Sequence, residues 1–283
     1  MSPEVALQSL DNLWFQISGT LCNLTCHHCF ISCSPTNRTF EPMAREDVLR
    51  ALEESRDLGV KEYYFTGGEP FIHPHMVEIL ERTLEIGPAT VLTNGTLLKR
   101  EAVARLAAAE ARSLYSLEIR VSIDSFSPES NDPIRGAGTF ARAMDGVRLL
   151  IEHGFLPIIT VAQTWDDDRQ GEVFTGFVRV LREAGYGRPR VKIIPTLRIG
   201  AEVERHRGYD PSEKVTEEML EGFDLSQLIC THSRIVTDKG VYVCPILIDS
   251  PAARRRCPSH SAPIRSRMAP ATPATSVAPS AAT

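Results

Sequence analysis

No stretch of the chain approaches the ~18 apolar residues that a membrane span needs. Residues 1–11 hold neither a basic region nor a long apolar segment, so no secretory signal is evident. An excess of positive charge is also missing. The formal net charge is −5, with Lys and Arg spread along the 283 residues until a late Arg254-Arg255-Arg256 run. No phosphate-backbone footprint results, and neither nucleic acid nor a membrane is expected as a partner. A paired disulfide framework is lacking as well. The seven cysteines are odd in number and gathered at motif spacing, which fits metal ligands in a cytoplasmic protein. The chain is long enough to bury a substantial core, as one large domain or a domain with an appendage.

What is present is Cys22-Asn23-Leu24-Thr25-Cys26-His27-His28-Cys29, three thiols within eight residues, just after a strand-like run at 13–18. Thiolates are soft ligands suited to Fe–S clusters, Zn or Cu(I). A cubane [4Fe–4S] cluster normally takes four cysteines, so three leave one iron without a protein ligand. Reactive metal sites keep such an open position and structural ones close it. Two other readings use the same stretch. Cys33 could join Cys22, Cys26 and Cys29 in a closed four-thiolate cluster for electron transfer or redox sensing. Alternatively, Cys26, His27, His28 and Cys29 could donate to zinc in a binding module.

A strand-then-helix rhythm runs to about residue 196. Strands are expected at 13–18, 61–66, 89–93, 117–124, 157–164 and 191–195, and helices near 44–58, 74–86, 98–112, 139–153 and 171–184. Helices of crossover length between strands argue for an α/β fold with a parallel sheet. A closed eight-unit barrel takes ~250 residues, more than the periodic region supplies. An open partial barrel of six units fits, and so does a doubly wound sheet. Either way the ligand edge lies at the strands' C-terminal ends, where the cysteine loop, Gly67-Gly68-Glu69-Pro70 and Asn94-Gly95 all fall.

The fourth strand alternates: Leu117, Ile119, Val121 and Ile123 on one face, Glu118, Arg120, Ser122 and Asp124 on the other. Strands inside a parallel sheet are normally apolar throughout. The polar face is therefore expected to line a cavity, with Gln16, Ser18 and Gln163 added to the lining. The Gly-Gly-Glu-Pro turn sets two conformationally permissive residues and a carboxylate, stiffened by proline, at the same edge.

The order and spacing of CxxxCxxC and GGEP resemble the radical S-adenosylmethionine (radical SAM) superfamily over about residues 10–196. The resemblance implies a partial (β/α)6 TIM-like barrel, with a [4Fe–4S] cluster on Cys22, Cys26 and Cys29 whose open iron is chelated by S-adenosylmethionine. Gly67, Gly68 and Glu69 would meet the amino group of the cofactor's methionine part. Ser122 and Asp124 would meet its ribose or methionine end, Asn94 would line the pocket, and Arg135 would pair with its carboxylate. A reduced cluster would cleave the sulfonium to methionine and a 5′-deoxyadenosyl radical that takes hydrogen from a substrate. A small redox protein would supply the electron. No side chain declares itself a general acid or base, and His73 and His75 read as structural or surface residues.

Beyond the core, 196–225 is charged and reads as a solvated linker, and 234–236 with 241–243 flank Asp238-Lys239-Gly240 as a hairpin. Cys230 and Cys244 bracket that hairpin. Together with Cys244-Pro245 they look like the opening of a SPASM or twitch extension, at 197–251. Such extensions hold auxiliary Fe–S clusters in enzymes that modify peptides. Only Cys257 follows, so the set of thiols is incomplete. Residues 252–283 turn to Ala, Pro, Ser, Thr and Arg without periodicity, a signature of disorder and, being abrupt, of a frame change or truncation. About a dozen residues precede the first strand, too few for a separate peptide-recognition domain, so a small-molecule substrate stands beside a peptide one.

Overall fold

The computed structural model describes residues 4–213, 215–248 and 274–275. Its elements are β1 (Glu4–Val5), β2 (Asn12–Gln16), α1 (Arg45–Ser55), β3 (Glu62–Thr66), α2 (Met76–Thr83), β4 (Ala89–Thr93), α3 (Arg100–Arg112), β5 (Leu117–Ser122), α4 (Pro128–Arg135), α5 (Thr139–Glu152), β6 (Ile158–Gln163), α6 (Gln170–Glu183), β7 (Arg190–Pro195), β8 (Ser233–Thr237), β9 (Gly240–Tyr242) and β10 (Ala274–Thr275). Every expected strand and helix of the core forms. One helix, α4, was not anticipated in the loop before α5. The compositional tail at 252–283 lies outside the described residues apart from β10, which pairs with β1.

The main sheet runs β7-β6-β5-β4-β3-β2-β8-β9. From β2 to β7 each strand lies beside its predecessor and parallel to it. A doubly wound sheet reverses its order part-way, so this order decides for an open, singly wound partial barrel. Its outer face is apolar: Leu13, Phe15, Tyr63, Phe65, Val91, Ile119, Val121, Ile159 and Val161 bury against Val48, Leu52, Leu80, Leu106, Val147 and Phe177 of the helices. Burial of each such side chain contributes about 1.5–3 kcal/mol, which is why the strands pack that face against the helices.

The other face is polar and internally paired. Tyr64 and Thr90 hydroxyls donate to Glu62 (2.5 and 2.6 Å), and Glu118 accepts from Arg120 (2.7 Å) and Arg190 (2.9 Å). Trp14 stacks on Tyr64 with ring centroids 4.1 Å apart. Pairing is what half-buried charges demand. Gln163 does not join this face. It alternates in step with Ile159 and Val161, and its amide donates to Asp167 (2.5 Å) on the helix side.

The C-terminal hairpin is not a separate unit. β8 pairs in parallel with β2, and β9 returns antiparallel to β8. Ile235, Tyr242, Val243, Cys244 and Ile248 share one apolar cluster with Cys22, Leu24, Ile31, Cys33 and Phe40 of the cysteine loop. The charged 196–225 stretch is not merely a solvated linker either. Glu202 is fully buried, accepting from Arg205 (3.0 Å) and His206 (2.6 Å), and the Ala201 N–H donates to the Cys29 carbonyl (3.0 Å). No helix among the described residues is long and apolar enough to cross a membrane.

Gly146 lets α5 close on the end of β4. A Cβ there would lie 2.2 Å from the Gly95 carbonyl oxygen. Alanine normally gains about 1 kcal/mol over glycine inside a helix. Here overpacking against backbone outweighs that gain, and Gly146→Ala is expected to destabilise by about 1–2 kcal/mol in chemical denaturation. A stabilised variant would show that α5 stands off the strand end.

Candidate functional site

The cysteine loop leaves β2 through a tight turn in which Gly19 N–H bonds to Gln16 O and the Gln16 amide donates to Gly19 O. It returns along itself at the Leu21–Ser34 bridge. Cys22 is buried; Cys26 and Cys29 are half-buried. Burial pushes the Cys22 thiol up to about 12 and Cys26 up to about 11. A thiolate at either position needs a cation against it, which a bound metal centre provides. Cys29 moves the other way, down to about 6, because the Cys33 thiol and backbone N–H (3.3 Å) both donate to its sulfur. Among the described residues no three His, Cys, Asp or Glu side chains gather closely enough for a single metal ion.

The glycine turn is fitted to this loop. Gly67 has φ +137°, and a Cβ on it would fall 2.3 Å from Ser18 Oγ; a Cβ on Gly68 would fall 2.1 Å from Leu21 O and 2.8 Å from Cys22 Cβ. Side chains are excluded at both positions, and the backbone stays bare beside the thiols. The Gly68 and Glu69 N–H groups donate to Gly19 and Leu21 carbonyls (3.0 and 3.1 Å). Glu69 is wholly buried, and burial raises its carboxyl above the usual range. Three donors hold it: Phe71 N–H (3.0 Å), Thr93 hydroxyl (2.7 Å) and Asn94 N–H (2.7 Å). It therefore braces β3's turn against the end of β4. Asn94 in turn donates to Asn23 Oδ1 (2.9 Å), with its amide 3.8 Å from Cys22 Sγ. Cys22, Gly67, Gly68, Glu69 and Asn94 thus form one contiguous group.

A second group is centred on Asp124, fully buried just past β5. Its Oδ1 accepts from Arg135 Nη2 and from the Ala162 N–H of β6, both at 3.1 Å. His28 Nε2 lies 2.5 Å from Oδ2, and Arg135 Nε is equally close to that oxygen but off the hydrogen-bond line. Burial favours the neutral acid; Arg135 and His28 outweigh it and hold the carboxyl well below the usual range. His27 N–H donates to Ile134 O (2.9 Å), tying the loop to α4 a second time. Arg135, read from sequence as a free partner for an incoming carboxylate, is occupied by Asp124. His28, read only as an alternative zinc donor, is the residue that joins the loop to β5. The pair is 96 residues apart in sequence, and nothing local announces it. Ser122 sits on the polar face opposite Thr160, outside both groups. Cys230 and Cys244 lie close enough for Cys244 to help raise the Cys230 thiol, after burial, with Arg234 beside both.

Residues 17–166 match the family model of the radical SAM superfamily. The chain belongs to that superfamily. It is 31% identical over 173 residues to a GTP 3′,8-cyclase of Petrotoga mobilis, covering 59% of this chain and 51% of that protein. To the antilisterial bacteriocin subtilosin biosynthesis protein AlbA of Bacillus subtilis it is 29% identical over 201 residues, 66% of this chain and 42% of that one. The Streptococcus suis SuiB structure bound to S-adenosylmethionine superposes with a TM-score of 0.63 at 16% identity, over 84% of this chain and 60% of SuiB. That likeness is one of fold. The chain spans about half the length of the relatives it matches. The radical SAM cofactors are a [4Fe–4S] cluster and S-adenosylmethionine, and the donor set fits the first: three soft thiols, two of them unstable as thiolates without a positive centre.

Removing the Asp124 charge tests the second group. Asp124→Asn leaves Arg135 buried without its counter-ion, and a loss of about 3–5 kcal/mol is expected near neutral pH. Because the folded carboxyl is held low, its contribution is fully present above the ordinary carboxylate range and is lost as pH falls through it. The gap between wild type and variant, from denaturant midpoints, should stay flat down to about pH 5 and narrow below about pH 4. A gap that widens on acidification would contradict the pairing.

Proposed function

We propose that this chain is a radical SAM enzyme acting on a peptide. When bound and reduced, the cluster and S-adenosylmethionine supply a 5′-deoxyadenosyl radical that takes hydrogen from a substrate. Cys22, Cys26 and Cys29 hold the cluster. The bare backbone of Gly67 and Gly68 binds the cofactor's amino group, with Glu69 keeping that turn in place. Asn94 and Ser122 line the pocket, while Asp124 and Arg135 orient its far wall and keep a cation near the thiolates. A small redox protein delivers the electron. The observation that carries this is the fit of two glycines, neither of which tolerates a Cβ, against a loop of three clustered thiols.

The peptide assignment draws on relatives named for bacteriocin biosynthesis and mycofactocin maturation, and on SuiB solved with its precursor peptide SuiA. The GTP 3′,8-cyclases among the relatives support a small-molecule substrate as the alternative. Cys230 and Cys244, with Arg234 between them, are the thiols an auxiliary cluster would use. One observation favours a different reading. Cys33 donates to Cys29 and could complete a four-cysteine electron-transfer cluster.

Anaerobic reconstitution followed by a reductant-dependent assay for 5′-deoxyadenosine separates the two. Wild type and Cys33→Ser are expected to release it, and Cys26→Ala is expected to lose the cluster and the product together. Loss of the cluster in Cys33→Ser, with no product from wild type, would establish the electron-transfer reading instead.

A further inference from the structure

β7 closes one end of the main sheet, pairing with β6 on one side; among the described residues no backbone hydrogen bond reaches its other side. Open strand edges invite another strand. This one is six residues long, while β9, at the opposite end, has three. Between Glu183 and Glu202 the chain carries four cations, Arg188, Arg190, Lys192 and Arg198, and no acidic residue, in a protein of net charge −5. Arg188, Arg190 and Lys192 are all exposed.

Register sets where the charges point. Lys192 stands opposite Thr160, which stands opposite Ser122, and Arg190 reaches Glu118, so both cations belong to the polar inner face. Next to Lys192, the Thr160 hydroxyl is buried with no partner of its own. Further along, Ile194 stands opposite Ala162, whose N–H is bound by Asp124. A strand added outside β7 would therefore lie three inter-strand spacings, about 14 Å, from β5 at the level of Asp124. Its inward side chains would face the site across the barrel's open side.

We infer that the free edge of β7 is the docking strand for an extended, acidic peptide segment of the substrate. This rests on the peptide reading above. Main-chain hydrogen bonds give such strand addition its affinity, and alternate side chains give it specificity; Lys192 selects a carboxylate at the position beside it. Cations and prolines on an edge strand also deter self-association. Deterrence alone does not require the cations to share the face that leads to the cofactor pocket. Nucleic acid would gain from the charges but not from the unpaired backbone.

The test uses the full reconstituted chain and a fluorescein-labelled peptide of alternating Glu and Val, read by anisotropy. Controls are the same peptide with Gln for Glu, the peptide N-methylated at alternate residues, and a labelled oligouridylate. Affinity is expected to fall about tenfold or more with Gln, with N-methylation and in Lys192→Glu, and to persist in Lys192→Arg. No anisotropy change, equal affinity for the N-methylated peptide, or equal or tighter binding of oligouridylate would each overturn the docking strand. 5′-Deoxyadenosine release without added peptide is measured in the same samples. Release without peptide binding overturns the edge alone, whereas binding without release overturns the radical enzyme.

Discussion

The buried carboxylate of Asp124 ties the cysteine loop to the working edge of this barrel. Asp124 is reached by His28 from the cysteine loop, Arg135 from α4 and the Ala162 N–H from β6, while its own N–H donates to Asn131. An uncompensated charge at that depth would cost several kcal/mol; with the guanidinium, the imidazole and the backbone donor in place the cost is offset. The same contacts fix the loop relative to the sheet. Glu69 does the equivalent work on the other side, bracing the glycine turn to β4 through Thr93 and Asn94. Two buried acids thus position the thiols from two directions, and both are spent on structure more than on contact with solvent.

Much of this was legible in one dimension because it rests on local chemistry. Thiol spacing, a Gly-Gly turn after a strand, and the two-residue alternation of β5 each state a physical requirement that the sequence alone displays. The strand order is implied by five crossovers but not settled by them, since open barrels and doubly wound sheets use the same units. What stayed hidden depends on distant partners. His28 and Asp124, 96 residues apart, meet only once the four strands β2 to β5 lie side by side. Glu202 looks like a solvated charge until Gly200 seats its segment on Phe30 and Cys29. Gln163 looked inward-facing because it is polar, although its register puts it with Ile159 and Val161. β8 reads as half of an independent hairpin, and only its pairing with β2 reveals that it extends the main sheet.

The fusion of β8 and β9 to that sheet changes how the C-terminal part is understood. Cys244 and the cysteine loop pack into one apolar cluster, so the end of the hairpin is mechanically tied to the primary thiols. The family model covers the barrel from the end of β2 to just past β6. β7 and the segment at 200–206 lie beyond its end.

The central claim is that the chain supplies three ligands to a four-iron cluster and leaves one iron for the cofactor. The most direct test is electron–nuclear double resonance on the reduced cluster, using S-adenosylmethionine carrying magnetic nitrogen and oxygen isotopes in its amino and carboxylate groups. Hyperfine coupling from both isotopes is the predicted result. A reduced cubane with no coupling to either, and with its fourth corner held by a protein thiolate, would contradict it.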